Sequence, residues 1–183
     1  LKGCVGLAEL TIPFVGSAKT VKNTYDAVFG YVFGRVANSE NGIIQYYKDE
    51  DGSLSGYKYG VPSSLRKVSI TNAIQLSFGS FHNCASLEEI NLNDGIASIA
   101  GYAFNGASSL QALTVPDSVE SIEEFALAGC SSIESITIPF VGASRSVTND
   151  YSAVLGFIFG RTNEEGAQQY FEFTDGSLYS YVY

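Results

Sequence analysis

SLEEINLNDGIASIAGYAFNGAS, residues 86–108, runs without a gap into SLQALTVPDSVESIEEFALAGCS, residues 109–131, and the two 23-residue stretches align position for position. Residues 64–85 form a third unit, one residue shorter. A fixed short period of this kind indicates a solenoid, in which each unit buries its apolar face only against its neighbours. Every unit places apolar residues at LxxLxL spacing: Leu65, Val68 and Ile70, then Leu87, Ile90 and Leu92, then Leu110, Leu113 and Val115, then Ile133, Ile136 and Ile138. The last three positions of that spacing alternate in and out, which predicts a short strand with one buried face. A strand recurring once per coil pairs in parallel with its successor. After it come a turn (NDG, PDS), a second short apolar pair such as Val119 and Ile122, and a compact AF or FAL segment that fits a helical turn. The expected fold is an α/β repeat solenoid with a parallel sheet of short strands, short helical turns and β-hairpin insertions, all within one domain, 1–183.

A longer period of 126 residues overlies the short one. Residues 7–59 match residues 133–183 with two residues dropped near Ser39 and Glu40, and 24 of 51 aligned positions are identical. Leu1, Gly3 and Cys4 align likewise with Leu127, Gly129 and Cys130, so the chain is expected to start inside one coil and stop inside another. Residues 6–63 make a coil of 58 residues, 35 more than its 23-residue neighbours, which places an insertion at 14–63 and its second copy at 140–183. Residues 25–34 predict a short helix with Asn23 as N-cap and Val28, Phe29, Val32 and Phe33 on its apolar side, although Gly30 interrupts it. Residues 43–59, rich in Tyr around Asp51 and Gly52, predict a hairpin, since Asp-Gly between such segments favours a tight turn.

The pattern LxxLxVPDSVxxIxxFALAGCSSI, as it stands in residues 110–133, resembles the BspA-like, or Treponema pallidum type, leucine-rich repeats of bacterial surface proteins. The resemblance covers every short coil. It departs from the commoner leucine-rich pattern where Pro13, Pro116 and Pro139 stand near the start of a buried Asn ladder, with Thr71 and Asn93 in the remaining copies. The resemblance implies a right-handed superhelix, an extracellular or cell-surface location, and adhesion to a host matrix protein, another cell-surface protein or a glycan. The insertion lies outside the basic pattern, so the resemblance assigns it no role.

Composition excludes other functions. A net charge of −9 with ten scattered Lys and Arg leaves no basic patch for nucleic acid or anionic lipid. The apolar runs, at 27–29 and around 154–159, are far shorter than the roughly 20 residues of a spanning helix. There is no Met and no visible signal peptide.

Catalytic chemistry finds no residue set either, and neither a metal nor a cofactor is expected. His82, the one histidine, takes the position of Asn105 and Ala128 in the next coils, so it is expected at the surface without a role. Cys4, Cys84 and Cys130 fall on one repeat position, filled by Ala107 in the fourth copy, which predicts small buried fillers. Cys84 and Cys130 lie two coils apart, about 10 Å at strand spacing. A bridge tolerates roughly 7 Å between Cα atoms, so three free thiols are expected. Asp49, Glu50, Asp51 and Gly52 faintly resemble a calcium loop, but in the second copy Phe173, Thr174, Asp175 and Gly176 retain only the Asp-Gly turn. Glu88 with Glu89, Glu123 with Glu124, and Glu164 with Glu165 are adjacent pairs. Neighbours on a strand point to opposite faces, so Glu88 and Glu89 cannot face each other across a cleft as a glycosidase needs.

Two surfaces remain as candidates. On the exposed face of the parallel sheet, Thr11, Ser69, Asn91, Thr114 and Thr137 should form one column, flanked by Glu9, Lys67, Glu89, Ala112 and Ser135. The insertion holds eleven of the twelve tyrosines and eight of the twelve phenylalanines, and Tyr179, Tyr181 and Tyr183 alternate onto one hairpin face. The leading expectation is a non-enzymatic protein- or glycan-binding module. The alternatives are a purely structural spacer and the recognition arm of a larger secreted hydrolase.

Overall fold

The computed structural model describes residues 1–148, 150–161, 166–172 and 177–183, the side chains of Phe171 and Glu172 excepted. Its strands, in chain order, are β1 (Glu9–Ile12), β2 (Ile43–Lys48), β3 (Leu54–Tyr59), β4 (Lys67–Ile70), β5 (Gln75–Leu76), β6 (Glu89–Asn91), β7 (Ser98–Ile99), β8 (Ala112–Thr114), β9 (Ser121–Ile122), β10 (Ser135–Thr137), β11 (Gln168–Glu172) and β12 (Leu178–Val182). They form two stacked sheets and two hairpins, and a stack of turns completes a third wall. The first wall is the predicted parallel sheet, in the order β1-β4-β6-β8-β10. Its register puts Leu10 beside Val68, Val68 beside Ile90, and Leu113 beside Ile136. Val68, Ile90 and Leu113 are buried, and Ile136 packs against the core from the last strand. Each fully buried aliphatic side chain contributes about 1.5–3 kcal/mol.

The second wall is also a parallel sheet, β5-β7-β9, where the sequence suggested only a return segment. Leu76, Ile99 and Ile122 point inward from it. The turns between the two sheets are stitched coil to coil. Ala73 N–H donates to Asn93 Oδ1 at 2.8 Å, and Gly95 N–H donates to Ser118 Oγ at 2.9 Å.

The third wall is a stack of turns rather than the expected helical turns, and the α component of the predicted class shrinks to short 3-10 segments. Phe81 N–H donates to Ala103 O (2.6 Å) and Phe104 N–H to Ala126 O (2.8 Å). Amides that reach across to the next coil are not available for intrahelical bonds. Both insertions rejoin this wall: Phe29 N–H donates to Ser80 O and Leu127 N–H to Ile158 O, each at 2.8 Å. Phe81 stacks on Phe104 with ring centres 5.8 Å apart, and Phe29 packs on Phe81 at 5.1 Å with its ring tilted by 36°.

This explains why residues 25–34 are not the helix their spacing predicts. They hold one 3-10 turn, Phe29–Phe33, without a side-chain cap. Asn23, the expected cap, has a left-handed φ of 50°. Gly30 N–H, which a helix would use internally, goes instead to Gln45 Oε1 at 2.5 Å. A Cβ at Gly30 would sit 2.5 Å from the Tyr59 Cβ, so the glycine admits the hairpin. The hairpin itself forms as expected: β2 and β3 pair antiparallel from Ile43–Tyr59 to Lys48–Leu54. Its copy is β11 paired with β12, from Gln168–Val182 to Glu172–Leu178.

Candidate binding surfaces

The parallel sheet carries the two columns of the sequence reading in register. Thr11 lies beside Ser69, Ser69 beside Asn91, and Thr114 beside Thr137. In the flanking column Glu9, Lys67, Glu89, Ala112 and Ser135 follow one another. Strand alternation turns these ten residues away from the core, and Ser69 and Lys67 alone are half-buried. Lys67 Nζ meets Glu89 Oε1 at 2.7 Å. That bond holds the Lys67 ammonium above, and the Glu89 carboxyl below, their ordinary pKa values. Asn91 Nδ2 donates to Glu89 Oε1 (2.8 Å) and to Ser69 Oγ (3.3 Å). β6 and β8 are in register only at Glu89 opposite Ala112, and beside that point lies a hollow of about 360 Å³. Glu89, Asn91, Ala112 and Thr114 line it. A patch of fixed hydroxyls, an amide and a carboxylate can exchange hydrogen bonds with a peptide backbone or a sugar.

The Tyr-rich hairpins are largely occupied with holding themselves in place. Arg35 lies 4.2 Å from the Tyr25 ring centre and 3.4 Å from that of Tyr57. In the copy, Arg161 lies 4.7 Å from Tyr151 and 4.2 Å from Tyr181, and its Nε meets Glu124 Oε1 at 3.2 Å. Tyr59 OH donates to Tyr25 O at 2.5 Å and Tyr183 OH to Tyr151 O at 3.2 Å. Burial pushes the Tyr59 phenol up to about 12. Of the three tyrosines proposed as a stripe, Tyr181 and Tyr183 therefore serve the hairpin's own anchorage, and Tyr179 is 51% exposed.

Gln45 was missed by the sequence reading. It is fully buried; besides accepting from Gly30, its Nε2 donates to His82 O at 2.8 Å. Its counterpart Gln169 accepts from Gly156 N–H at 2.7 Å. Identity of this Gln and this Gly in both copies was the available signal.

Two expectations need correction. His82 is not at the surface: the first hairpin covers it, the Tyr46 ring stands edge-on at 5.1 Å, and Nδ1 has no partner. Burial lowers its pKa. Its equivalents in the other coils face no hairpin, so the repeat comparison misled. Cys4 is exposed rather than a buried filler. Cys84 and Cys130 are buried, and burial pushes both thiols up, Cys130 to about 12. The calcium-like acids close their own turn. Asp51 accepts from Ser53 N–H (2.9 Å) and Asp49 from Ser55 Oγ (2.8 Å). Among the described residues no group of three or more His, Cys, Asp or Glu could hold a metal, and no helix is long and apolar enough to cross a membrane. Glu164, Glu165 and 173–176 lie outside the described residues.

A family model for the BspA type leucine rich repeat region, in six copies, matches residues 56–149, half of the chain. The chain belongs to the BspA-type leucine-rich repeat family. The matched span covers β4 to β10 and the last four residues of β3, so the family pattern is the core pattern of the three walls. A crystal structure of a leucine rich cell surface protein from Faecalibacterium prausnitzii A2-165 is similar at 19% identity and a TM-score of 0.36, covering 82% of this chain and 51% of that one. The chain thus spans about half the length of that protein. No curated protein matches. Within a BspA-type repeat the leucine-type positions are spent on packing, so the outward columns and the insertions lie outside the family's core pattern.

Proposed function

We propose that the chain is a non-enzymatic contact module of a bacterial surface protein and binds a protein or glycan partner through its parallel-sheet face. The observation that carries this reading is the hollow between β6 and β8, where Glu89, Asn91 and Thr114 converge on one uncovered plane. Membership of the BspA-type family supports a binding or adhesion role, and the same membership supports a surface location. The tyrosines contribute less, because the arginine clamps and the core hold most of them. A flat polar sheet face with small side chains lets a partner approach the backbone closely, as the concave surfaces of other solenoids do.

The experiment is binding of the purified chain to arrays of matrix proteins and glycans. It is repeated with Ala112→Arg plus Thr114→Arg, which fills the hollow from two outward positions, and with Tyr179→Ser. Loss in the first variant and retention in the second is expected. Retention in the first would overturn the sheet-face assignment, and turnover of any substrate in a hydrolase screen would overturn the non-enzymatic reading.

A further inference from the structure

Away from the sheet face, the first hairpin's tip and the second insertion flank an open cleft of about 900 Å³. Its floor is a row of rings from three successive coils. Phe78 and Tyr102 have ring centres 5.1 Å apart with the rings tilted by 35°, and Tyr102 and Phe125 5.2 Å apart with the rings inclined by 24°. The three half-buried rings line the cleft together and give it an apolar ridge. Tyr102 and Phe125 both have positive φ, 58° and 63°, at the repeat position where the preceding coil has Gly79. A side chain in that conformation costs about 1–2 kcal/mol. At position 79 the Tyr46 carbonyl oxygen leaves no room for a Cβ, whereas positions 102 and 125 carry rings that line the cleft in spite of that cost.

The walls of the cleft fix the character of its occupant. Asp49, Glu50 and Asp51 come from the hairpin tip, and Glu123 and Glu124 from the coil opposite. Against these five carboxylates the lining has one cation, Lys48. Glu124 is paired with Arg161 at 3.2 Å, whose guanidinium also lies over Tyr151, itself a lining residue. The cleft edge thus already accommodates one arginine, held by a carboxylate and an aromatic ring. We propose that this cleft docks an extended, arginine- or lysine-bearing segment of a partner protein. Its aliphatic stems would lie along the Phe78–Tyr102–Phe125 ridge and its charged heads would reach the walls, the way long basic side chains divide between apolar surface and water. The site shares no residue with the sheet face and does not depend on the sheet-face reading.

The test uses the whole chain and a fluorescein-labelled decapeptide of alternating Arg and Ser, against the same peptide with citrulline for every Arg. Saturable binding at least tenfold tighter for the arginine peptide is expected, weakening with added KCl. Glu50→Gln plus Glu123→Gln should reduce it at least tenfold, and Tyr102→Gly, the residue of the preceding coil, by a similar factor. Glu88→Gln plus Glu134→Gln, on a distant acidic surface, and the Ala112→Arg plus Thr114→Arg variant should leave it unchanged. Equal binding of the citrulline peptide, an equal loss from the Glu88 and Glu134 pair, or cleft-dependent binding of neutral oligosaccharides in place of the arginine peptide would each overturn the proposal.

Discussion

The guanidinium carbon of Arg35 lies 3.4 Å from the centre of the Tyr57 ring. The ring comes from β3 and the arginine from the segment after the 3-10 turn, so the contact joins the hairpin to the third wall. The second copy rebuilds it with Arg161 and Tyr181 at 4.2 Å.

Arg35 is exposed, and a cation over an aromatic ring at such a site is worth about 0.5–1 kcal/mol. Arg35→Ala is therefore expected to lower stability by about 1 kcal/mol. A double-mutant cycle with Tyr57→Leu, read from urea unfolding, should return a favourable coupling of about half that or more. Zero coupling would mean that the ring and the cation are neighbours without attraction.

Glycine should outperform alanine at position 102. With φ at 58°, alanine keeps the left-handed penalty of about 1–2 kcal/mol while glycine loses it. Glycine's more flexible unfolded chain returns about 0.4–1 kcal/mol of that gain. Tyr102→Gly should thus unfold at a higher urea concentration than Tyr102→Ala, the reverse of the usual order. At the matching position in the preceding coil, Gly79→Ala should be severe, since its Cβ would run into the Tyr46 carbonyl oxygen and φ is +66°.

Thiol accessibility gives a third check. Cys4 is exposed, while Cys84 and Cys130 are buried. A thiolate reacts and a thiol does not, so burial that raises both buried groups also suppresses their chemistry. The native chain is expected to release colour from a disulfide reagent rapidly at one site, and at the other two only on unfolding. Three fast reactions would contradict the buried positions.

The first wall was legible in the sequence because each coil repeats the same inward residues, so that Leu113 stands beside its equivalent Ile136. What escaped depends on contacts that no repeat carries. Gly30 surrenders its amide to Gln45, fifteen residues on, so a helical spacing ended as one 3-10 turn. The tyrosines were conspicuous by composition, but their partners Arg35 and Arg161 were not, and these clamps tie down Tyr57 and Tyr181 although Tyr181 keeps 37% of its surface exposed. The cleft escaped for the same reason: its floor comes from three coils and its walls from a hairpin tip and another coil, all distant in sequence.

His82 makes stability depend on pH in a direction the geometry fixes. Its ring is buried under the hairpin, Nδ1 has no partner, and burial lowers the pKa from the ordinary 6.5. The unfolded chain therefore takes up a proton near pH 6.5 that the folded chain refuses until lower pH. Unfolding then binds protons, and stability falls as pH drops below about 6.5, while above it the full stability is present. His82→Asn, the residue at position 105 of the next coil, removes this dependence. Between pH 7.5 and 5.5 the difference in urea midpoint between the natural chain and the variant should shift against the natural chain. A difference that stays constant across that range would show that the imidazole is protonated as readily in the folded chain as in the unfolded one.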